Sequence, residues 1–262
     1  MKTSIILLGY FTSATCFQGR GSPNTRRLSH EVLSSTLLDV EETAERDIMT
    51  MDEWAAACGV QRCDGFQFTP TNQEDESLDV GIMTTENLEA ESPIIFVPSE
   101  MILSANRAKE EIGTIEKAEE LFAKLGVRDQ IPRFYLFLKI LKEIELSDQS
   151  PYFPWLNSLP RYFSNGASMT HFCCSNCLPP LVGSLALMER TRFRQYFKAL
   201  NLYCDFLLSD ETRVHKQLAK FAYNIVYTRS FQDGYGDIKI APVADYVGIL
   251  PMMRCNEQYS LD

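Results

Sequence analysis

The chain has 262 residues, of which 45% are hydrophobic and 11% aromatic, so it can bury a packed core and is not an intrinsically disordered chain. Its formal net charge of -10 repels phosphate backbones, so we expect no nucleic-acid partner. No apolar run approaches the roughly 20 residues that a membrane-spanning helix needs.

The N-terminal segment has the character of a targeting sequence. In residues 1–16, Lys2 precedes an apolar stretch and then small residues, the order of a secretory signal peptide, with a cut predicted before Phe17. Residues 17–50 form an arginine- and serine-rich transit-like segment followed by a charged linker. The junction over residues 13–17 resembles the cleavage motif of plastid presequences. We therefore expect a plastid location and no stable membrane insertion after signal cleavage, with simple secretion as the alternative.

Residues 51–102 predict one short helix followed by short strands. The helix is predicted over 51–59, where Gly59 occupies the position of a C-cap glycine. Strands are predicted over 66–68 and 80–84. The clearest strand lies over 92–98, where four apolar residues stand between two prolines.

Helical periodicity dominates the next part of the chain. Helices are predicted over 105–125, 131–146, 185–208 and 214–228. In the second of these, the predicted inward residues are Phe134, Phe137, Leu138, Leu141 and Ile144, with Lys139, Lys142 and Glu143 on the opposite face. Residues 151–160 are rich in proline and aromatic residues and predict irregular structure. With a last apolar segment over 238–245, the order predicts an α+β fold in which helices interrupt a mostly β domain.

Three of the eight cysteines are close together in sequence. Cys173, Cys174 and Cys177 follow His171, and the last two have the spacing of one half of a zinc knuckle. A structural zinc site needs four ligands, and the other pair, Cys58 and Cys63, lies far upstream. Ordinary thiols are the preferred interpretation, a zinc site is the alternative, and no metal ligand is assigned.

Four strings between residues 54 and 245 carry a resemblance to a known family. They are Val-Gly-Ile-Met-Thr-Thr (80–85) with Ile-Ile-Phe-Val-Pro (94–98), Pro-Tyr-Phe-Pro-Trp-Leu-Asn-Ser-Leu-Pro (151–160), Tyr-Thr-Arg-Ser-Phe (227–231) and Ile-Ala-Pro-Val-Ala-Asp (240–245). Their order and spacing resemble the SET-domain branch typified by plastid Rubisco large-subunit lysine methyltransferase. The resemblance implies a β-rich SET domain with its first part over 51–102, a helical insertion over 103–220, and the start of its second part over 221–245.

The resemblance also implies an activity. Members of this branch transfer a methyl group from S-adenosylmethionine to a protein side chain, usually a lysine, which must first lose its proton against a free pKa of about 10.4. The implied cofactor is S-adenosylmethionine, and the implied partner is a protein substrate. We expect a monomer.

Four residues match cofactor-binding positions of the family. The backbone at Gly81 and Ile82 resembles the turn around the methionine end of the cofactor, although a simple turn glycine is the alternative and Asp79 replaces a frequent glycine. Arg229 resembles the arginine next to the cofactor carboxylate, with an exposed arginine at a helix end as the alternative. Asp245 matches the aspartate of the family's Pro-Val-Ala-Asp string.

The resemblance stops at Asp245. The family's Asn-His pair would fall at Gly248 and Ile249, and residues 246–262 form an unmatched tail. Tyr259 is too close to Asp245 to be the family's tyrosine, so no catalytic residue is assigned. We expect the last SET strands and the C-terminal helical domain to be missing, through mis-prediction or splicing or in a genuinely short relative. A lysine methyltransferase chain that is incomplete is the first hypothesis, and a non-catalytic SET-related protein-binding module is the second.

Overall fold

The computed structural model describes residues 38–70, 80–89 and 92–247. The predicted signal peptide (1–16), the transit-like segment up to residue 37, Asp79 and the tail from Gly248 lie outside the described residues. The targeting and tail features predicted there stay predictions. Within the described ranges, no helix is both long and apolar enough to cross a membrane.

The N-terminal part consists of one helix and two small antiparallel sheets. Helix α1 spans Ile48–Ala57, and the strands are β1 (Gln61–Arg62), β2 (Phe66–Pro70), β3 (Val80–Thr84) and β4 (Ile95–Phe96). Strand β1 pairs with β4, and β2 pairs with β3. The predicted helix and the strands β2 and β3 are confirmed, and Gly59 follows α1 with a φ of +87°. The strand predicted over 92–98 shortens to two residues because Pro93 and Pro98 lack the N–H that a ladder needs.

Seven α-helices follow within the described residues. They are α2 (Ala105–Ile112), α3 (Glu116–Lys124), α4 (Ile131–Leu146), α5 (Phe153–Ser158), α6 (Pro180–Tyr203), α7 (Asp210–Val214) and α8 (Lys216–Arg229). The bounds predicted for α4 are confirmed, whereas the helix predicted over 185–208 is shifted towards the N-terminus. The single helix predicted over 105–125 was wrong, because Gly113 adopts a φ of +84° and separates α2 from α3. The irregular structure predicted over 151–160 was also wrong, because Pro154 lies in the first turn of α5, where no N–H is required.

Helix α4 forms the centre of the hydrophobic core. Its five predicted inward residues are all buried, and so are Tyr135, Leu136 and Ile140. The predicted exposure of Glu143 was wrong, because its carboxylate is buried between Lys139, 2.8 Å away, and the Ser150 hydroxyl, which donates at 2.5 Å. A helix buried on nearly all sides is typical of the middle of a core.

The two ends of the helical region meet in a third sheet. Strands β5 (Leu103–Ser104), β6 (Phe231–Gln232) and β7 (Ile238–Ile240) are antiparallel in the order β5–β7–β6. Ser104 also caps α2, since its Oγ accepts from the Arg107 N–H at 3.2 Å and donates to Asp237 Oδ2 at 2.6 Å. The architecture therefore mixes helices and strands, as the α+β prediction stated, with the helices between strand β5 and the β6–β7 hairpin.

Candidate functional site

The end of α8 and the turn after β7 bring Arg229 and Asp245 into contact. Arg229 is the last residue of α8, and the β6–β7 hairpin leads the chain back to a 3₁₀ turn over Ala244–Val247. Arg229 Nη1 lies 2.9 Å from Asp245 Oδ2 and 3.3 Å from the Asp245 carbonyl oxygen. Val243, just before the turn, is fully buried with a φ of 73°, an unusual backbone conformation for a β-branched residue. This bend directs the Asp245 carboxylate inward.

The carboxylate of Asp245 is buried in the core and has a second donor. Trp155 Nε1 on α5 donates to Asp245 Oδ2 at 3.1 Å, and the side chain of Asp245 has no exposed surface. Burial raises the pKa of the Asp245 carboxyl, while the nearby Arg229 guanidinium and the Trp155 indole oppose that rise. Three elements that are distant in sequence therefore meet at one carboxylate.

Tyr246 extends this network to α5 and to the β2–β3 hairpin. The Arg229 guanidinium lies over its ring at 5.0 Å from the centroid. The Tyr246 hydroxyl donates to the Ser158 carbonyl oxygen at 2.7 Å and lies 2.8 Å from Ser158 Oγ. Phe68 of β2 meets the Tyr246 ring edge to face at 5.5 Å. Tyr246 belongs to the stretch that sequence reasoning assigned to the unmatched tail, yet it is buried in the same turn as Asp245.

The other two predicted residues lie on the neighbouring strand. Gly81 pairs with Thr69, and Ile82 pairs with Phe68, in the β2–β3 hairpin. Strand β3 packs against the Ala244–Val247 turn. The structure therefore joins Arg229 and Asp245 directly and places Gly81 and Ile82 on a half-buried strand beside their turn. Their role in cofactor binding stays a prediction.

Three buried polar atoms at this site have no hydrogen-bond partner among the described residues. They are Arg229 Nε, the hydroxyl of Ser230 and Asp245 Oδ1. Leaving such a group unpaired costs about 1–3 kcal/mol, more when it is charged. The site thus has two free donors and one free acceptor next to an existing ion pair.

Sequence reasoning did not assign Trp155, Ser158, Ser230 or Tyr246 to the site. A signal was present for Trp155, since a tryptophan in an apolar string usually finds a partner for its N–H when buried. No signal identified Ser230 or Tyr246, because their contacts depend on how the β6–β7 hairpin returns the chain.

The cysteine cluster lies in a different part of the molecule. Cys173, Cys174 and Cys177 fall on one π-helical turn, where Cys174 is buried and Cys177 is exposed, and all three are free thiols. Within residues 38–70, 80–89 and 92–247, no three His, Cys, Asp or Glu side chains are grouped so that they could hold a metal ion. The zinc alternative therefore has no support from the described residues.

A cleft of about 550 Å³ also lies away from the Arg229–Asp245 pair. Its walls include Arg161, Phe163, Met169, Lys220 and Asn224, and none of Gly81, Ile82, Arg229 and Asp245. The buried ion pair is the stronger candidate, because it combines charge, burial and free hydrogen-bonding groups, whereas this cleft is lined by none of the four predicted residues.

Comparisons with known proteins found one kind of similarity, a likeness of fold. No family model matches the chain, and no curated protein matches it. The chain is similar to a solved structure, that of Rubisco LSMT bound to AdoMet, with a TM-score of 0.56 and 12% sequence identity. The match covers 78% of this chain and 44% of that one, so this chain spans less than half of that protein's length. At this identity the likeness shows the fold alone, which is SET-like.

Proposed function

We propose that this chain, which has a SET-like methyltransferase fold, binds S-adenosylmethionine and takes part in methyl transfer to a lysine side chain of another protein. The observation that carries the proposal is the group of unpaired buried atoms around the Arg229–Asp245 pair. The solved structure of similar fold is bound to AdoMet, which supports the same cofactor here. The assignment to the branch of Rubisco large-subunit lysine methyltransferase is part of this proposal.

The free atoms at the site fit the amino-acid end of this cofactor. That end carries a carboxylate, which accepts hydrogen bonds, and an ammonium group, which donates them. Arg229 Nε and the Ser230 hydroxyl are donors for the carboxylate, and Asp245 Oδ1 is an acceptor for the ammonium group. Bound there, the cofactor would supply a reactive methyl group. Because all three atoms are buried, entry of the cofactor requires the residues that cover them to move.

The residues around the pair have supporting roles in this proposal. Asp245 and the Tyr246 ring fix the plane of the Arg229 guanidinium, so that Nε keeps its direction. Strand β3 offers the backbone of Gly81 and Ile82 beside the same turn.

A titration with S-adenosylmethionine followed by calorimetry tests this proposal. We expect the wild-type chain to bind the cofactor, and Ser230→Ala to bind about tenfold or more weakly, because one hydrogen bond to a charged group is lost. Ser184→Ala is the matched control, since its exposed hydroxyl only donates to the Pro180 carbonyl oxygen of its own helix. A folded wild-type chain that does not bind the cofactor, or a Ser230→Ala variant with unchanged affinity, would contradict the proposal.

A second function is a protein-binding module without catalysis. It is favoured by one observation: Arg229 Nη1 already donates to both the carboxylate and the carbonyl oxygen of Asp245, so this part of the guanidinium is occupied within the fold. Incubation of the chain with methyl-labelled S-adenosylmethionine and a plastid protein extract separates the two functions. Label on lysine supports the enzyme, whereas cofactor binding without label on any protein supports the module.

A further inference from the structure

Two rows of basic side chains run along neighbouring helices, away from the Arg229–Asp245 pair. Arg190, Arg194 and Lys198 are spaced four residues apart on α6, so they share one face of that helix. Lys216 and Lys220 are spaced four residues apart at the start of α8. Helices α6 and α8 pack against each other. In a chain with a net charge of -10, this is a local concentration of positive charge.

The two rows line one continuous groove. A cleft of about 200 Å³ is bordered by Arg190, Arg194, Lys216 and Lys220, and a second of about 440 Å³ by Arg194, Lys198 and Lys216. Because Arg194 and Lys216 border both clefts, we treat them as a single feature and name it the basic groove. Its remaining lining is partly apolar: Ala167, Met169, Phe193, Phe197 and Leu202.

The cations of the basic groove have no acidic partners among the described residues. None of the five forms an ion pair there, whereas Lys109, Lys139, Lys142 and Arg213 elsewhere on the helices all do. Arg190 Nη1 donates to the Met169 carbonyl oxygen, but its buried Nε has no hydrogen-bond partner. Burial, Lys216 and Arg190 lower the pKa of Lys220, and the carboxylate of Glu42 partly opposes that shift. The five cations therefore have no direct ion-pair partner within residues 38–70, 80–89 and 92–247.

We propose that the basic groove binds an extended acidic segment of a partner protein, with a carboxylate at every second residue. Basic residues four apart on α6 are separated by about 6 Å along the helix axis. Side chains on one face of an extended peptide repeat every 6.6–6.8 Å or so, which matches that spacing. The intervening side chains of the peptide would meet the apolar lining at the half-buried Phe197 and the exposed Leu202.

The length and surroundings of the groove favour a peptide over a nucleic acid. The row from Arg190 to Lys198 extends over only about 12 Å. The adjoining cleft, which shares Lys220 with the groove, is bordered by Glu41 and Glu42. A longer phosphate backbone would leave the groove and meet this acidic surface, whereas a short acidic peptide segment would not.

Fluorescence anisotropy with labelled peptides, without any cofactor, tests this inference independently of the proposed function. The probe is a nine-residue peptide with glutamate at every second position, and its comparison peptides carry the same residues with the glutamates in one block, or glutamine in place of glutamate. We expect the alternating peptide to bind most tightly, the glutamine peptide not to bind, and about 0.5 M NaCl to weaken binding strongly by screening.

Charge reversal on the two shared residues localises the binding. Arg194 and Lys216 are exposed, so Arg194→Glu and Lys216→Glu should fold, which circular dichroism checks. Each is expected to weaken binding about threefold to tenfold, because an attraction becomes a repulsion. The matched control is Lys117→Glu on α3, an equally exposed lysine outside the groove, which should leave affinity unchanged.

Three results would overturn the inference. The wild-type chain fails to bind the alternating peptide, the control reversal weakens binding as much as the groove reversals, or a single-stranded oligonucleotide of equal charge binds more tightly than the peptide. The last result would assign the groove to nucleic acid.

Discussion

The guanidinium of Arg229 and the carboxylate of Asp245 form an ion pair in a place that bulk water barely reaches. The two residues are 16 positions apart, and the intervening chain forms the β6–β7 hairpin. Both were predicted from the sequence as cofactor-binding residues, but their contact with each other was not. Local periodicity carries no information about a contact that depends on the return path of a hairpin and on the unusual backbone of Val243.

Removal of the Asp245 carboxylate should strongly destabilise the protein. Asp245→Ala leaves the Arg229 guanidinium buried without its counter-charge and the Trp155 N–H without an acceptor. Breaking one partner of a buried pair costs about 3–5 kcal/mol. Urea unfolding followed by circular dichroism measures this loss. The double variant Arg229→Met with Asp245→Leu is the control, and it should be less destabilised than Asp245→Ala because no charge remains unpaired. Equal unfolding midpoints for Asp245→Ala and wild type would contradict the prediction.

Glu111 is expected to make the stability of the protein depend on pH. Burial alone would raise the pKa of Glu111, but Lys139 at 2.6 Å and Lys142 at 2.7 Å together hold it below its ordinary value of 4.5. Near that pH the folded state binds fewer protons than the unfolded state. The stability that Glu111 contributes is therefore fully present above its unfolded pKa and is lost as the pH falls through the lower folded pKa.

Glu111→Gln tests this pH dependence. Because the carboxylate is partly exposed and screened by solvent, we expect a loss of about 0.5–1 kcal/mol at neutral pH. The difference from wild type should shrink as the pH falls below the ordinary value of 4.5. Glu120→Gln, which removes the exposed partner of Lys124, is the control with little effect at any pH. A constant difference across the pH range would show that Glu111 acts through packing instead.

At the scale of elements, helices with strong apolar periodicity were predicted correctly from the sequence. The predictions were wrong where a single residue determines where a helix begins or ends. The bounds of α4 were predicted correctly because its apolar positions recur over four turns. One glycine, Gly113, divides a segment whose periodicity runs continuously. Pro154 suggested irregular structure but lies in the first turn of α5, and so the element that carries Trp155 was missed. Strands of two residues, such as β4 and β5, are too short to show alternation at all.

Truncating any buried side chain in the central turns of α4 should leave a cavity and lower the stability of the protein. Leu138 is fully buried, so Leu138→Ala is expected to cost about 2–5 kcal/mol, as for other large core truncations. Leu146, at the exposed end of the same helix, provides the matched control, and Leu146→Ala should cost less than about 1 kcal/mol. Thermal unfolding of the two variants measures the difference. Similar losses for both would mean that α4 is not the centre of the core.

At the scale of the whole molecule, Asp237 holds together two parts of the chain that are 133 residues apart. Its carboxylate accepts from the Ser104 hydroxyl at 2.6 Å and from the Asn106 N–H at 3.2 Å, at the start of α2. Strands β5 and β7 pair beside it. The fold is therefore closed at this point by both a backbone ladder and a side-chain cap.

Asp237→Ala should lower the stability of the protein, but the protein should still unfold as one cooperative unit. We expect a loss of about 1–2 kcal/mol, the usual effect of removing a helix cap. Trp54 on α1 and Trp155 on α5 belong to the same hydrophobic core, so tryptophan fluorescence and circular dichroism should report one shared transition in both proteins. Asp210→Ala is the control, since that exposed carboxylate pairs with Arg213, three residues away on the same short helix. Separate transitions for the two signals would contradict the expectation of one cooperative unit.

The pairing of β5 with β7 has a consequence for how this protein can evolve. The chain leaves this sheet for the helices after β5 and returns to it at the β6–β7 hairpin, whose strand β7 pairs with β5 at Leu103 and Ile240. Doubling the length of a flexible connection between two fixed ends costs only about 0.6 kcal/mol in closure entropy. Insertions and deletions in the loops between the helices can therefore accumulate over generations while the strand register stays the same. Lineages descended from such a protein would differ most in the size of their helical regions and least at the two strands where those regions begin and end.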